Sequence, residues 1–242
     1  EEIAQIETDE VGKPLHISRN DVRRCMEAFD FFGGLGGNLP SEFYELGPIN
    51  ASVIWEPFGV VAAIVPFNWP PLHTGAKLAP ALAAGNTVVV KPGDQAPLAV
   101  MKIVEILRPV FPEGVLELVT GPGAETGIAL TAHPLVRKIS FTGSDRSGRA
   151  VVKQSADNLT PCIMELGGKN TLVVMPGSDL EKAVPLAYEG VFYNNGEACT
   201  ATSRILVHRS QYEEFARRLG EMVERTRLGP GDDPRTHIGP MV

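Results

Sequence analysis

The spacing of apolar positions along the chain changes several times, and each change marks an element. Over residues 19–32, Val22, Cys25, Met26, Phe29 and Phe32 recur at helical spacing until Gly33, Gly34, Gly36 and Gly37 end the pattern. This predicts an amphipathic helix followed by a loop. Residues 52–57 read as a strand, and 59–66 (GVVAAIVP) form the short, wholly apolar run that a buried parallel strand carries. An alternation follows: helix 72–84 stopping at Gly85, strand 87–91, amphipathic helix 98–107, strand 115–119, a short helix near 125–131, strand 138–141, a helix from about Ser144, and strand 161–165. Pro80 lies inside the first of these helices and predicts a kink. Alternating strands and helices with short connections imply an α/β fold with a doubly wound, Rossmann-like parallel sheet. After Gly168 the pattern restarts with strand 170–175, a helix capped by Ser178 or Asp179, a turn holding Cys199, strand 204–208 and helix 211–227. That reads as the start of a second α/β domain. The expected divisions are 1–57, 58–166 and a truncated 167–242, and the lack of an initiator Met and of a finished second sheet leads to the expectation of a fragment.

Composition narrows the functional classes. With 43% apolar and 21% charged residues, the 242-residue chain can bury a sizeable core. A formal charge of −7 without a basic block argues against nucleic acid and anionic membrane surfaces as partners. Apolar runs are broken by Pro, Lys or Gly well short of the ~20 residues a membrane span needs, and Glu1-Glu2-Ile3 is no secretory signal. The cysteines Cys25, Cys162 and Cys199 show no CxxC spacing, which points to a reducing compartment, the cytoplasm, and away from structural zinc. His16, His73, His133, His208 and His237 form no HxxxH or HExxH pattern, so no metal is expected.

Three segments carry candidate chemistry. Phe192-Tyr193-Asn194-Asn195-Gly196-Glu197-Ala198-Cys199 sets a thiol just past a glycine-bearing turn, between a predicted helix and strand. Met164-Glu165-Leu166-Gly167-Gly168-Lys169-Asn170 offers an acid at a strand exit, where partial burial would raise its pKa, and Pro66-Phe67-Asn68-Trp69-Pro70 frames an amide between prolines. Nucleophile, base and amide donor together suggest covalent carbonyl chemistry. Each has a plainer structural reading: an isolated Cys is most often core, an isolated Glu a solvated charge, and Asn68 part of a turn. Cys25 and Cys162 keep that plainer reading.

Together with Phe141-Thr142-Gly143-Ser144, these ordered segments resemble the NAD(P)-dependent aldehyde dehydrogenase superfamily along the whole chain. The resemblance implies that Cys199 attacks an aldehyde and that a hydride then leaves to the nicotinamide. By the same resemblance Glu165, 34 positions earlier, would activate the water that hydrolyses the thioester, and Asn68 and a backbone N–H near Cys199 would stabilise the oxyanion. It also implies that residues 58–166 bind the dinucleotide. Lys91 and Asp94 would hold the adenosine ribose, Gly123 and Gly127 the adenine side, and Gly143, Ser144 and Gly148 the adenosine and pyrophosphate, with Pro66, Phe67 and Leu166 completing the set. Gly121 to Gly127 is spaced GxGxxxG, not the usual GxGxxG, and Lys91 alone could be a charge snorkelling from a strand end. Asp94 would repel a 2′-phosphate, which favours NAD, with NADP the alternative. Residues 45–57 resemble the family's oligomerisation strand, so a homodimer or homotetramer is expected of the full-length parent. Phe67, Trp69, Tyr193 and Ala198 lean the substrate toward aromatic or medium aliphatic aldehydes. The rival readings are a CoA-acylating dehydrogenase, disfavoured by Glu165, and a catalytically silent nucleotide-binding fragment.

Overall fold

The computed structural model describes residues 1–242. In chain order it holds α1 (Glu2–Val11), α2 (Leu15–Leu35), β1 (Glu42–Leu46), β2 (Ile49–Val53), β3 (Val60–Ile64), α3 (Pro70–Ala83), β4 (Thr87–Lys91), α4 (Leu98–Leu107), β5 (Leu116–Leu118), α5 (Ile128–Ala132), β6 (Val136–Thr142), α6 (Asp145–Ser155), β7 (Cys162–Glu165), β8 (Asn170–Val174), α7 (Leu180–Phe192), β9 (Thr202–Val207) and α8 (Tyr212–Glu224). No helix is long and apolar enough to cross a membrane. The chain divides into two compact units, residues 21–165 and residues 1–20 with 166–242.

In the 21–165 unit, five strands run in the order β5-β4-β3-β6-β7 and every neighbouring pair is parallel. The chain starts at the central β3, steps outward to β4 and β5, then returns to the other side of β3 for β6 and β7. The β3/β6 junction is therefore the point where the winding reverses, and ligands of such sheets bind beyond the strand C-termini there. Side chains alternate faces along a strand, and β3 is covered on both. Val61 and Ala63 join Val88, Val90, Leu78, Val100 and Val104 on one face, while Ala62 joins Val136, Ile139, Phe141 and Val151 on the other. This double cover is why the run reads as apolar without alternation. Helix α3 opens with prolines in its first turn, where no N–H is missed, and it runs through Pro80 as one element.

Two local features differ from expectation. Residues 42–53 form an antiparallel hairpin in place of the single strand expected at 52–57, and both of its strands are exposed apart from the half-buried Ala51. Its turn is Gly47-Pro48, with Gly47 at φ 72°, a conformation that glycine reaches without strain. Strand β7, expected in the core, is an edge strand with only Cys162 and Met164 half-buried, and Glu165 at its end is exposed. Burial alternates along β7, and Glu165 lies on the exposed face that it shares with Ile163.

In the other unit, β8 and β9 pair in parallel, and α7 and α8 bury Val174, Val184, Ala187 and Phe215 against them. The Asp179 carboxylate caps α7 by accepting the Glu181 N–H at 3.0 Å.

Candidate active site

In the 21–165 unit, the loops that leave the strand C-termini carry most of the expected site residues. β3 runs into Pro66, Phe67 and Asn68, and Asn68 is 9% exposed. Glycine lets the next loop come close: a Cβ on Gly93 would lie 3.1 Å from the Phe67 nitrogen. Beyond β4, Lys91 is buried. Its Nζ donates to Asp94 Oδ1 at 2.5 Å and to the Pro92 carbonyl at 2.8 Å, so it does not snorkel to solvent. Asp94 Oδ2 accepts the Gly123 N–H at 2.9 Å, and Gly127 packs near the Lys91 side chain. Burial pushes the Asp94 carboxyl up, but the bonds from Lys91 and Gly123 and the lysine charge outweigh it and leave the pKa lowered. Pro92, Gly93, Asp94, Pro97, Gly121 and Pro122 line a cavity of about 300 Å³.

Past β6, Ser144 caps α6, its Oγ accepting the Ser147 N–H at 3.2 Å, and Gly148 is buried one turn on. Gly143 donates its N–H to the Glu165 carbonyl at 3.1 Å, and a Cβ on it would strike the Phe141 ring. One residue absent from the sequence expectations belongs here. Lys77 of α3 is 7% exposed and donates from Nζ to Ser140 Oγ at 3.0 Å. Burial pushes its ammonium down to about 8, partly offset by the Glu165 charge.

Cys199 and Leu166 lie in the other unit. Cys199 is a free, half-buried thiol in the turn after α7. Ahead of it, Asn194 (φ 56°), Asn195 (φ 59°) and Gly196 (φ 77°) are all left-handed, a conformation that asparagine and glycine tolerate best. The segment after Leu166 braces the backbone of Cys199. Asn170 Nδ2 donates to the Cys199 carbonyl at 2.8 Å, and a Cβ on Gly168 would lie 2.6 Å from that same oxygen. Glu197 accepts the Val242 N–H at 3.2 Å, and burial raises its pKa against the lowering effects of that bond and of the Lys13 charge.

The family model described as "Aldehyde dehydrogenase family" matches residues 1–242. The chain belongs to the aldehyde dehydrogenase family. It is 51% identical over 241 residues to the aldehyde dehydrogenase citD of Monascus ruber, covering 100% of this chain and 48% of that protein. Retinaldehyde dehydrogenase 3 of Mus musculus is 40% identical, covering 99% of this chain and 48% of the relative. A crystal structure of PnpE in complex with nicotinamide adenine dinucleotide matches with a TM-score of 0.96 and 40% identity, covering 100% of this chain and 50% of that one. The chain thus spans about half the length of the aldehyde dehydrogenases it matches.

Within this chain of the family, sequence reasoning does not anticipate the contacts made by Lys77 and Asn170. Asn170 follows directly on Gly167-Gly168-Lys169, and its place in that motif is the available signal. Lys77 meets Ser140 across 63 positions and had none.

Proposed function

We propose that the whole protein containing this chain oxidises an aldehyde to a carboxylic acid with NAD, using Cys199 as nucleophile, Glu165 as general base and Asn68 as oxyanion donor. The observation that carries the reading is Cys199 itself, a free, half-buried thiol ending a left-handed turn and braced through its carbonyl by Asn170. The Sγ thiolate bonds to the aldehyde carbon while the carbonyl electrons move onto oxygen, and the Asn68 amide and a backbone N–H donate to that oxyanion. Bound NAD supplies the acceptor for the hydride. Glu165 takes a proton from water, whose oxygen adds to the Cys199 thioester, and collapse expels the thiolate and releases the acid.

The residues fit the cofactor. The loops beyond β3, β4 and β6 surround the point where the winding reverses, and Asp94 walls a cavity at the lower end of the size range for small-molecule pockets. Lys91, Asp94 and Gly123 would hold the adenosine end, with Gly143 and Ser144 at the N-terminus of α6 near the pyrophosphate. The Asp94 carboxylate, kept ionised by Lys91 and Gly123, disfavours a 2′-phosphate and so favours NAD over NADP. Residues 58–166 then serve as the dinucleotide-binding part and 167–242 as part of the catalytic one. The free cysteines support a reducing compartment, the cytoplasm, and the exposed apolar β1–β2 hairpin supports assembly into a dimer or tetramer.

The test is NADH formation by the full-length protein with benzaldehyde and hexanal, beside its Cys199→Ala and Glu165→Gln variants. We expect no turnover from Cys199→Ala. Glu165→Gln should retain an initial burst of NADH, with steady turnover lowered by about 100-fold or more. Undiminished steady turnover in either variant refutes the assigned role, and release of an acyl-CoA in place of the acid would move the reading to an acylating dehydrogenase.

A further inference from the structure

We propose that Asn195 is a positioning residue that ties the Cys199 loop to residues 239–240 and so holds the nucleophile in its attacking position. The inference rests on the reading of Cys199 as nucleophile. Asn195 is buried, and its carboxamide is used at both ends: Oδ1 accepts the Gly239 N–H at 2.9 Å and Nδ2 donates to the Pro240 carbonyl at 2.9 Å. Two bonds of opposite polarity fix the amide in one orientation, a pairing that an aspartate could only half reproduce.

The far side of this tie cannot recede. A Cβ on Gly239 would lie 1.8 Å from the Gly12 carbonyl oxygen, and one on Gly12, at φ 81°, would lie 2.2 Å from the Pro240 oxygen. The Gly12 turn is anchored in its turn by Lys13, whose Nζ donates to Glu7 at 2.8 Å with both side chains fully buried. Residues 239–240 are therefore held between a fixed glycine turn and Asn195.

On the near side, the loop is stiff enough to pass a displacement on. The Glu197 N–H donates to the Asn194 carbonyl at 3.0 Å, which closes the turn around Asn195, and Glu197 Oε1 adds a second strut to the Val242 N–H. Cys199 follows four positions after Asn195, with its carbonyl against Gly168 and Asn170. Releasing Asn195 frees one end of a segment whose other end carries the thiol.

The experiment uses the full-length protein and its Asn195→Gly, Asn195→Asp and Cys199→Ala variants. Glycine keeps the left-handed backbone and loses both bonds, while aspartate keeps the acceptor for Gly239. We expect Asn195→Gly to lower kcat on the order of tenfold with the KM for NAD within about twofold, and Asn195→Asp to fall between it and the parent. Hydrogen exchange should rise together in the peptides covering 193–199 and 237–242, a readout independent of activity. An unchanged kcat, a KM for NAD that rises in step with the fall in kcat, or exchange that rises in neither peptide overturns the proposal. Full turnover by Cys199→Ala would instead overturn the nucleophile reading, and with it the catalytic meaning of the tie, whatever the exchange shows.

Discussion

Lys77 loses its proton more readily than a lysine in water, because burial removes solvent from the ammonium and leaves it one hydroxyl, Ser140 Oγ, at 3.0 Å. Its pKa falls from the ordinary 10.5 to about 8 on folding. Between those values the unfolded chain binds more protons than the folded one, so stability rises with pH through that window and is lost again as pH falls through the folded value. The span corresponds to roughly 3 kcal/mol. Replacing Lys77 by Met should remove this dependence. Urea denaturation at several pH values from about 7 to 10 should show the parent gaining on the variant as pH rises, and parallel profiles would rule the account out. At this scale, legibility depended on local company. Cys199 and Glu165 stood out because glycines mark the turns beside them, whereas the exposure of Glu165 could not be read, since it depends on which face of β7 is covered.

Among the elements, β3 was readable because cover on both faces leaves a continuous apolar run, and the order of strands and helices followed from alternation alone. Helix α1 was not readable, for a physical reason. Its buried positions are Ala4, Glu7, Thr8 and Val11, so two members of the packed face are polar and the apolar period is hidden. Those polar groups are matched by partners outside the helix, Glu7 by Lys13 and Thr8 by Ser18 Oγ at 2.9 Å. A charge buried without its partner costs more than the intact pair contributes. Lys13→Met should therefore destabilise the chain by about 3–5 kcal/mol, while the double variant Glu7→Leu with Lys13→Met should recover most of that loss. Equal losses in the two variants, measured by chemical denaturation, would mean that the pair acts through packing and not through charge. Likewise, Ala62 sits fully buried at the centre of β3 facing Ile139 and Phe141, and Ala62→Leu should cost about 1–3 kcal/mol by overpacking.

At the scale of the whole molecule, the expected site residues fall into both compact units, and no local pattern in the sequence could have shown that. Leu166 to Asn170 and the Cys199 turn belong to one unit, while Glu165, Asn68 and the loops expected to hold the cofactor belong to the other. The β1–β2 hairpin raises a separate question about assembly. Two strands alone are marginal in water, yet this pair exposes Phe43 (63%), Leu46 (61%) and Ile49 (65%), with Trp55 exposed just beyond it. An apolar ribbon of this kind persists when something covers it, and the proposed cover is a second copy of the whole protein. Leu46 and Ile49 face each other across the Gly47-Pro48 turn, so lysines at both positions place two charges in the middle of any such contact without touching either unit's core. Sedimentation velocity of the full-length protein carrying Leu46→Lys with Ile49→Lys should show a smaller particle than the parent, with far-UV circular dichroism unchanged. A particle of undiminished mass would mean that the copies meet elsewhere, and a parent that is already monomeric would remove the second copy as the cover.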